Sequence, residues 1–211
     1  MSVMRINPTR MELTRIKRRL ATANRGHKLL KDKRDEMVRQ FIILVRKNME
    51  LRQELEKELA GAFSKFAVAR ALMDPKALEQ AMLYPARHAQ IDLSKKNIMS
   101  VQVPRITVDD ESLQETTLAY GFLDTSEQLD GAISELANLL PKMIELAEVE
   151  KACNMLADEI EKTRRRVNAL EYVMIPQFEE TIRFISMKLD ENERSSITRL
   201  MKVKDIIADR N

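Results

Sequence analysis

The 211-residue chain contains one cysteine, two histidines, four glycines, no tryptophan and only nine aromatic residues. Each scarcity excludes something. A single Cys153 cannot form an internal disulfide, which fits a reducing compartment. His27 and His88 have no cysteine or second histidine near them in the chain, so a zinc site is not expected. The isolated Gly26, Gly61, Gly121 and Gly131 form no phosphate-cradling loop. So few aromatic side chains argue against a large globular core. No apolar run approaches the ~20 residues of a membrane span. No apolar stretch follows Arg5 and Arg10, so no signal peptide is read and a soluble, cytoplasmic protein is expected.

What remains is rich in helix formers. Ala, Leu, Glu, Lys and Arg supply close to half the residues, the profile of long helices or a coiled coil. Charged residues make up 33% of the chain for a net charge of only +3. Residues 1–60 carry +8, residues 61–120 balance, and residues 121–211 carry −5. The two ends would attract each other if they lay side by side. Neither forms a block of one sign, so a dedicated nucleic-acid binder is not implied.

Apolar spacing carries the fold. Leu13, Ile16, Leu20, Ala23, Leu30, Met37, Phe41, Leu44, Leu51 and Leu55 keep alternating steps of three and four once His27, Arg34 and Asn48 fill the gaps. This is a heptad register with Leu13, Leu20, Phe41 and Leu55 at a. A step of four from Leu55 to Leu59 shifts the phase, and Ala62, Phe66, Ala69 and Met73 continue it. Thr9, with Glu12 three residues on, is the expected N-cap, and Asp74-Pro75 the expected end. At ~1.5 Å per residue such a helix would be roughly 95 Å long.

A second stripe runs Val149, Cys153, Leu156, Ile160, Thr163, Val167, Leu170, Met174, Phe178, Ile182, Ile185 and Leu189. It continues through Ser196, Leu200, Val203 and Ile207. Pro176 should kink this helix without ending it. Pro141 marks an earlier kink or a first turn. Between the stripes, Tyr84-Pro85 breaks a short helix, and β-branched Val101, Val103, Ile106 and Val108 suggest a strand pair within residues 97–123. Leu118, Tyr120 and Phe122 are placed on its returning strand. Asp124-Thr125-Ser126 offers caps for the next helix.

The expected fold is therefore mainly all-α: a long antiparallel two-helix coiled coil with a short central helix/β-hairpin element. The expected organisation is one elongated domain. Its N-terminal long helix spans 10–75, a central reversal spans 76–125, and a C-terminal long helix spans 126–208 with its kink near Pro176.

No catalytic constellation is present. Asp109-Asp110-Glu111 reads as a solvated turn and Cys153 as a small buried hydrophobe. His27, Arg34 and Asn48 at a positions cost stability and can fix coiled-coil register, or can sit in a wet stretch without a partner helix. Arg164-Arg165-Arg166 fans over about 200° of a helix at 100° per residue. The residues alone leave open a solvated face or a contact with acidic groups of a partner.

Two longer stretches point to a family. The first runs from Asn7-Pro8-Thr9-Arg10 through Leu13, Lys17 and Leu20 to Gly26-His27-Lys28-Leu29-Leu30-Lys31-Asp32-Lys33-Arg34-Asp35. The second is Arg164-Arg165-Arg166-Val167-Asn168-Ala169-Leu170-Glu171-Tyr172 with Ile175-Pro176 behind it. Together they resemble the D subunit of the V-type (vacuolar and archaeal-type) ATPases, across nearly the whole chain apart from about 80–125. The resemblance implies the central rotor stalk: an antiparallel coiled coil whose ends enter the hexamer of A and B subunits. Its middle would bind the small F subunit and seat on the funnel-shaped subunit capping the membrane ring. It implies no catalysis, no cofactor and no metal in this chain, and no direct membrane insertion. The chain would be peripheral to the membrane within a complex that moves protons or sodium ions. Arg10, Arg18, Lys28, Arg164, Arg165 and Arg166 are the expected partner-interface residues. Two other classes also fit a helical hairpin. A prefoldin-like coiled-coil chaperone would grip non-native clients with its helix tips, for which basic tips bearing Asn-Pro-Thr-Arg are odd. A tethering coiled coil would form stable homodimers.

Overall fold

The computed structural model describes residues 6–83, 90–108, 120–121 and 125–208. Helix α1 spans Arg10–Leu72 and α2 Pro75–Met82. Strands β1, Ile91–Ile98, and β2, Val101–Val108, form an antiparallel hairpin. Helix α3 spans Glu127–Ala169, a π-helical turn occupies Leu170–Met174, and α4 runs Ile175–Ala208. The protein is mainly α-helical, with one two-stranded sheet among the described residues.

The ends of α1 follow from local chemistry. Thr9 Oγ1 accepts the Glu12 N–H at 3.2 Å, so a free N-terminal donor is satisfied. At the other end, Asp74 and Pro75 restart the chain as α2, with proline where a missing N–H costs nothing. Between these ends the heptad stripe is visible as burial. Every a and d position from Leu13 to Leu55 is buried or half-buried, and so are Leu59, Ala62, Phe66, Ala69 and Met73 after the phase shift.

Packing divides the chain into two units. The first joins residues up to Glu36 with those from Ile160 onward. There the start of α1 lies antiparallel to α4. Ile16 is buried with Phe178 and Ile185, and Leu13, Leu20, Ala23, Ile182 and Leu189 pack around them. Thr163, Val167 and Thr181 are also buried. Thr181 Oγ1 donates to the Gln177 carbonyl at 2.6 Å, which allows a hydroxyl in an apolar seam.

The second unit, Met37–Glu159, contains two apolar clusters. Ala69, Met73, Leu78, Ala81 and Leu129 close one, with Phe66, Tyr120 and Ile133 against it, so α2 folds back onto α1 and the start of α3. Val101 and Val103 of β2 meet Ala152 and Leu156 of α3 in the other, beside Phe41 and Leu44 of α1. Across the α1–α3 seam Lys47 Nζ donates to Glu145 at 2.6 Å and Lys142 Nζ to Glu58 at 2.5 Å. Arg52 faces Glu150 at 3.8 Å and Lys65 pairs with Glu135. Lys47 and Arg52 pair in the sense of the charge asymmetry of the two chain ends and Lys142–Glu58 against it, and exposed pairs contribute only ~0–1 kcal/mol each.

The hairpin corrects the strand assignment made from sequence. The returning strand is Val101–Val108, and its partner is the polar segment Ile91–Ile98 upstream. Tyr120 lies in a bend. Leu118, Phe122 and Asp124 fall outside the described residues, as do Tyr84-Pro85, His88 and Asp109-Asp110-Glu111. The register explains how Pro104 sits inside a strand. Ile98 and Val101 flank the two-residue turn and exchange ladder hydrogen bonds, so alternate residues Val103, Arg105 and Thr107 do too. Pro104 falls at an outward position, where its missing N–H removes no ladder bond. Met99 and Ser100 take φ of 52° and 72°, the two positive values a type I′ turn needs. Asn97 Oδ1 accepts the Ser100 N–H at 2.9 Å and helps hold them there.

Candidate partner interface

The six cations expected at an interface, Arg10, Arg18, Lys28, Arg164, Arg165 and Arg166, are all exposed and all belong to the first unit. They come from different faces and different helices. Arg10 and Arg18, with Met11, Thr14, Arg15 and Arg19, line a shallow depression on the first turns of α1. Arg10 is also paired with Glu193 of α4, which marks the antiparallel offset there. Lys28 is exposed on α1, one turn from the exposed Arg25, Lys31 and Asp32. Arg164–Arg166 lie in the last turns of α3, just before the π-helical turn through which the helix continues. Arg165 is paired with Glu161 one turn back. All three arginines lie between the buried Thr163 and Val167, which share one face four residues apart, so none of them lies in the seam.

The three polar seam residues have different partners. His27 is half-buried, and its Nε2 lies 3.5 Å from a Glu171 oxygen in the π-helical turn, too long for a good hydrogen bond. Arg34 makes a two-pronged contact with Asp35 Oδ1 at 2.9 and 2.7 Å, a neighbour on its own helix. The Asn48 side chain hydrogen-bonds the Cys153 thiol across the second unit. Burial pushes that thiol's pKa up, the Asn48 bond pulls it partly back, and Glu150 adds to the rise. Cys153 is therefore held as a neutral thiol, in keeping with a packing role.

Pro176 lies one residue beyond the π-helical turn, after Ile175. It has no N–H for the Tyr172 carbonyl four residues back, and its ring crowds that carbonyl. Widening the preceding turn by one residue relieves the clash without ending the helix. The wider turn also shifts the apolar phase. Met174, placed on the stripe by strict spacing, is exposed, together with Tyr172 and Val173.

A surface that periodicity alone concealed lies at the end of α4. Ile197, Leu200, Met201, Val203, Ile206 and Ile207 are each more than half exposed. The sequence stripe carries Ser196, Leu200, Val203 and Ile207 as seam positions, yet all four are exposed. No spacing in the sequence signals this; the pairing offset explains it, because Arg10, the first residue of α1, already faces Glu193 and α1 has no residues left to cover the last turns of α4. At 100° per residue these six side chains spread over roughly 220° of the helix. Arg199 and Lys204 interrupt that arc.

No group of three or more His, Cys, Asp or Glu capable of holding a metal occurs among the described residues. No described helix is long and apolar enough to cross a membrane.

Comparison with known proteins bears on this arrangement over almost its whole length. The family of the ATP synthase D subunit matches residues 12–205. The V-type ATP synthase D subunit of Clostridium botulinum (strain Langeland) is 58% identical over 209 residues, covering 98% of this chain and 97% of that protein. That of Thermoanaerobacter sp. (strain X514) is 56% identical over 207 residues, covering 98% and 99%.

Proposed function

Because the chain belongs to the V-type ATP synthase D-subunit family, and so is a component of that complex, we propose that it is the central shaft. Its helical arms, 10–75 and 126–208, carry rotation between the ATP-hydrolysing hexamer of A and B subunits and the ion-translocating membrane ring. The chain itself breaks no bond. It lies peripheral to the membrane, with the small F subunit and the funnel-shaped ring cap as its other partners.

The observation that carries this reading is the apolar arc at the end of α4. An arc of roughly 220° is too wide for one facing helix, which covers little more than one stripe. It calls for a partner that encloses the helix, as a ring of subunits does. The scattered cations suit the same partner. Exposed ion pairs of ~1 kcal/mol orient a shaft yet release at each step, which a large apolar interface does not. A shaft without threefold symmetry touches each A–B pair differently, and those differential contacts bias each pair toward a different conformation and nucleotide affinity. Hydrolysis at one pair changes which orientation is lowest in free energy, and the shaft turns. Seam residues such as Asn48, bonded to Cys153, resist sliding of one helix along the other and favour stiffness.

Covalent locking tests this. Asn168 is exposed beside Arg164–Arg166. With Asn168→Cys joined by a disulfide to a cysteine in the surrounding hexamer, ATP hydrolysis by the reconstituted complex is expected to fall about tenfold or more (~1.4 kcal/mol or more in the barrier) and to recover on reduction. Hydrolysis at the unlocked rate while the disulfide is intact would count against a turning shaft.

A further inference from the structure

The two edges of the β-hairpin are not equivalent. Two of the four outward-facing N–H positions on β2 are dealt with. Pro104 has no N–H, and the Ile106 N–H donates to Glu148 Oε2 of α3 at 2.9 Å. That bond also fixes which residues face outward. Ile106 is opposite Leu93, so Leu93 and its alternates Ile91, Lys95 and Asn97 turn their N–H and C=O groups away from β2. These groups repeat every ~7 Å along β1, the spacing of a strand ready to be paired. No residue from Ile91 to Asn97 is buried or half-buried, and Leu93 is 75% exposed.

The side chains on this edge state what would complement it. Ile91 and Leu93 share one face with Pro104, Ile106 and Val108. Lys95 lies further along that face, and Lys96 points to the other. Neither lysine has an ion-pair partner among the described residues, and with Arg105 against Asp92 the hairpin carries a net charge of +2. We infer that β1 is a docking edge, paired in the assembled complex by an extended segment of another of its proteins. That segment has an apolar residue opposite Leu93 and carboxylates opposite Lys95 and Lys96. Main-chain bonds supply the register and the two carboxylates the selectivity. Among the described residues β1 has no covering helix, bulge or proline of the kind that protects exposed edges elsewhere, whereas β2 has both a proline and a carboxylate stopper. The inference rests on membership of the complex and not on rotation. A shaft could turn with this edge open, and a chain that never turns could still be paired here.

Hydrogen exchange resolved to single amides tests it in the reconstituted complex. The Leu93 and Lys95 amides are expected to slow about tenfold or more relative to the free chain, while the Ser94 and Lys96 amides, already in the ladder, keep their protection. Lys95→Glu with Lys96→Glu is expected to weaken assembly about tenfold, and Lys95→Arg with Lys96→Arg to leave it unchanged. Leu93→Pro removes one outward donor without touching the ladder and is expected to weaken assembly with Ser94 and Lys96 still protected. Equal exchange at Leu93 and Lys95 in the complex and the free chain would overturn the inference. So would protection that arises in the free chain on raising its concentration, since the occupant would then be a second copy.

Discussion

Tyr120 shows what one polar contact does in a molecule with so few rings. Its hydroxyl donates to Asp130 Oδ1 at 2.7 Å while the residue packs against the cluster of Ala69, Met73, Leu78, Ala81 and Leu129, tying the chain to the first turn of α3. Burial raises the pKa of the phenol first of all, and the Asp130 bond and charge raise it further. A raised pKa means the folded state holds this proton more tightly than the unfolded chain does. The contribution is complete below the unfolded value of ~10 and is lost as pH rises beyond it. Tyr120→Phe should therefore cost ~1 kcal/mol at neutral pH. The gap between wild type and variant should narrow above about pH 10, read as melting temperature by circular dichroism across pH. A gap that widens with pH would contradict the assignment. At this scale the sequence was informative about kind and silent about partner. His27, Arg34 and Asn48 were legible as polar seam positions. That one faces a π-turn carboxylate, one its own neighbour Asp35, and one the Cys153 thiol depends on side-chain geometry that no spacing encodes.

The elements divide by how far their signals reach. α1 was legible from its N-cap at Thr9 to its end before Asp74-Pro75, because period, cap and breaker agree along one continuous helix. The hairpin was half legible. Its β-branched strand Val101–Val108 announces itself, but Ile-Asp-Leu-Ser-Lys-Lys-Asn-Ile does not, since only its last residue, Ile98, meets a core and the rest has no reason to alternate cleanly. The turn was hidden for a related reason: Met99-Ser100 holds two positive φ angles without the Asn-Gly that usually marks them. That hold has a cost of ~1 kcal/mol per residue. Met99→Asn with Ser100→Gly should recover about 1 kcal/mol of it, seen as slower exchange of the Ser94 and Lys96 ladder amides. Faster exchange would mean that the native side chains do more for the turn than the strain takes away. The π-turn at Leu170–Met174 was legible only in its cause, Pro176, and not in its consequence, the outward rotation of Met174.

For the whole molecule, membership of the V-type ATP synthase D-subunit family gives the residue pattern its meaning. Isolated glycines, one buried thiol and no metal-ligand spacing suit a chain that spends its residues on two helical stripes and their outer faces. Those outer faces are where sequence says least, because a solvated cation and a partner-bound one look alike. Arg164–Arg166 and the apolar end of α4 would take on meaning only beside the partners proposed for them. The most direct measurement attaches a bead through Ala71→Cys, exposed at the end of α1, to a complex held to glass by its ATP-hydrolysing subunits. Sustained rotation in one direction while ATP is present, stopping when it is exhausted, is what a shaft predicts. ATP hydrolysis beneath a stationary bead would contradict it.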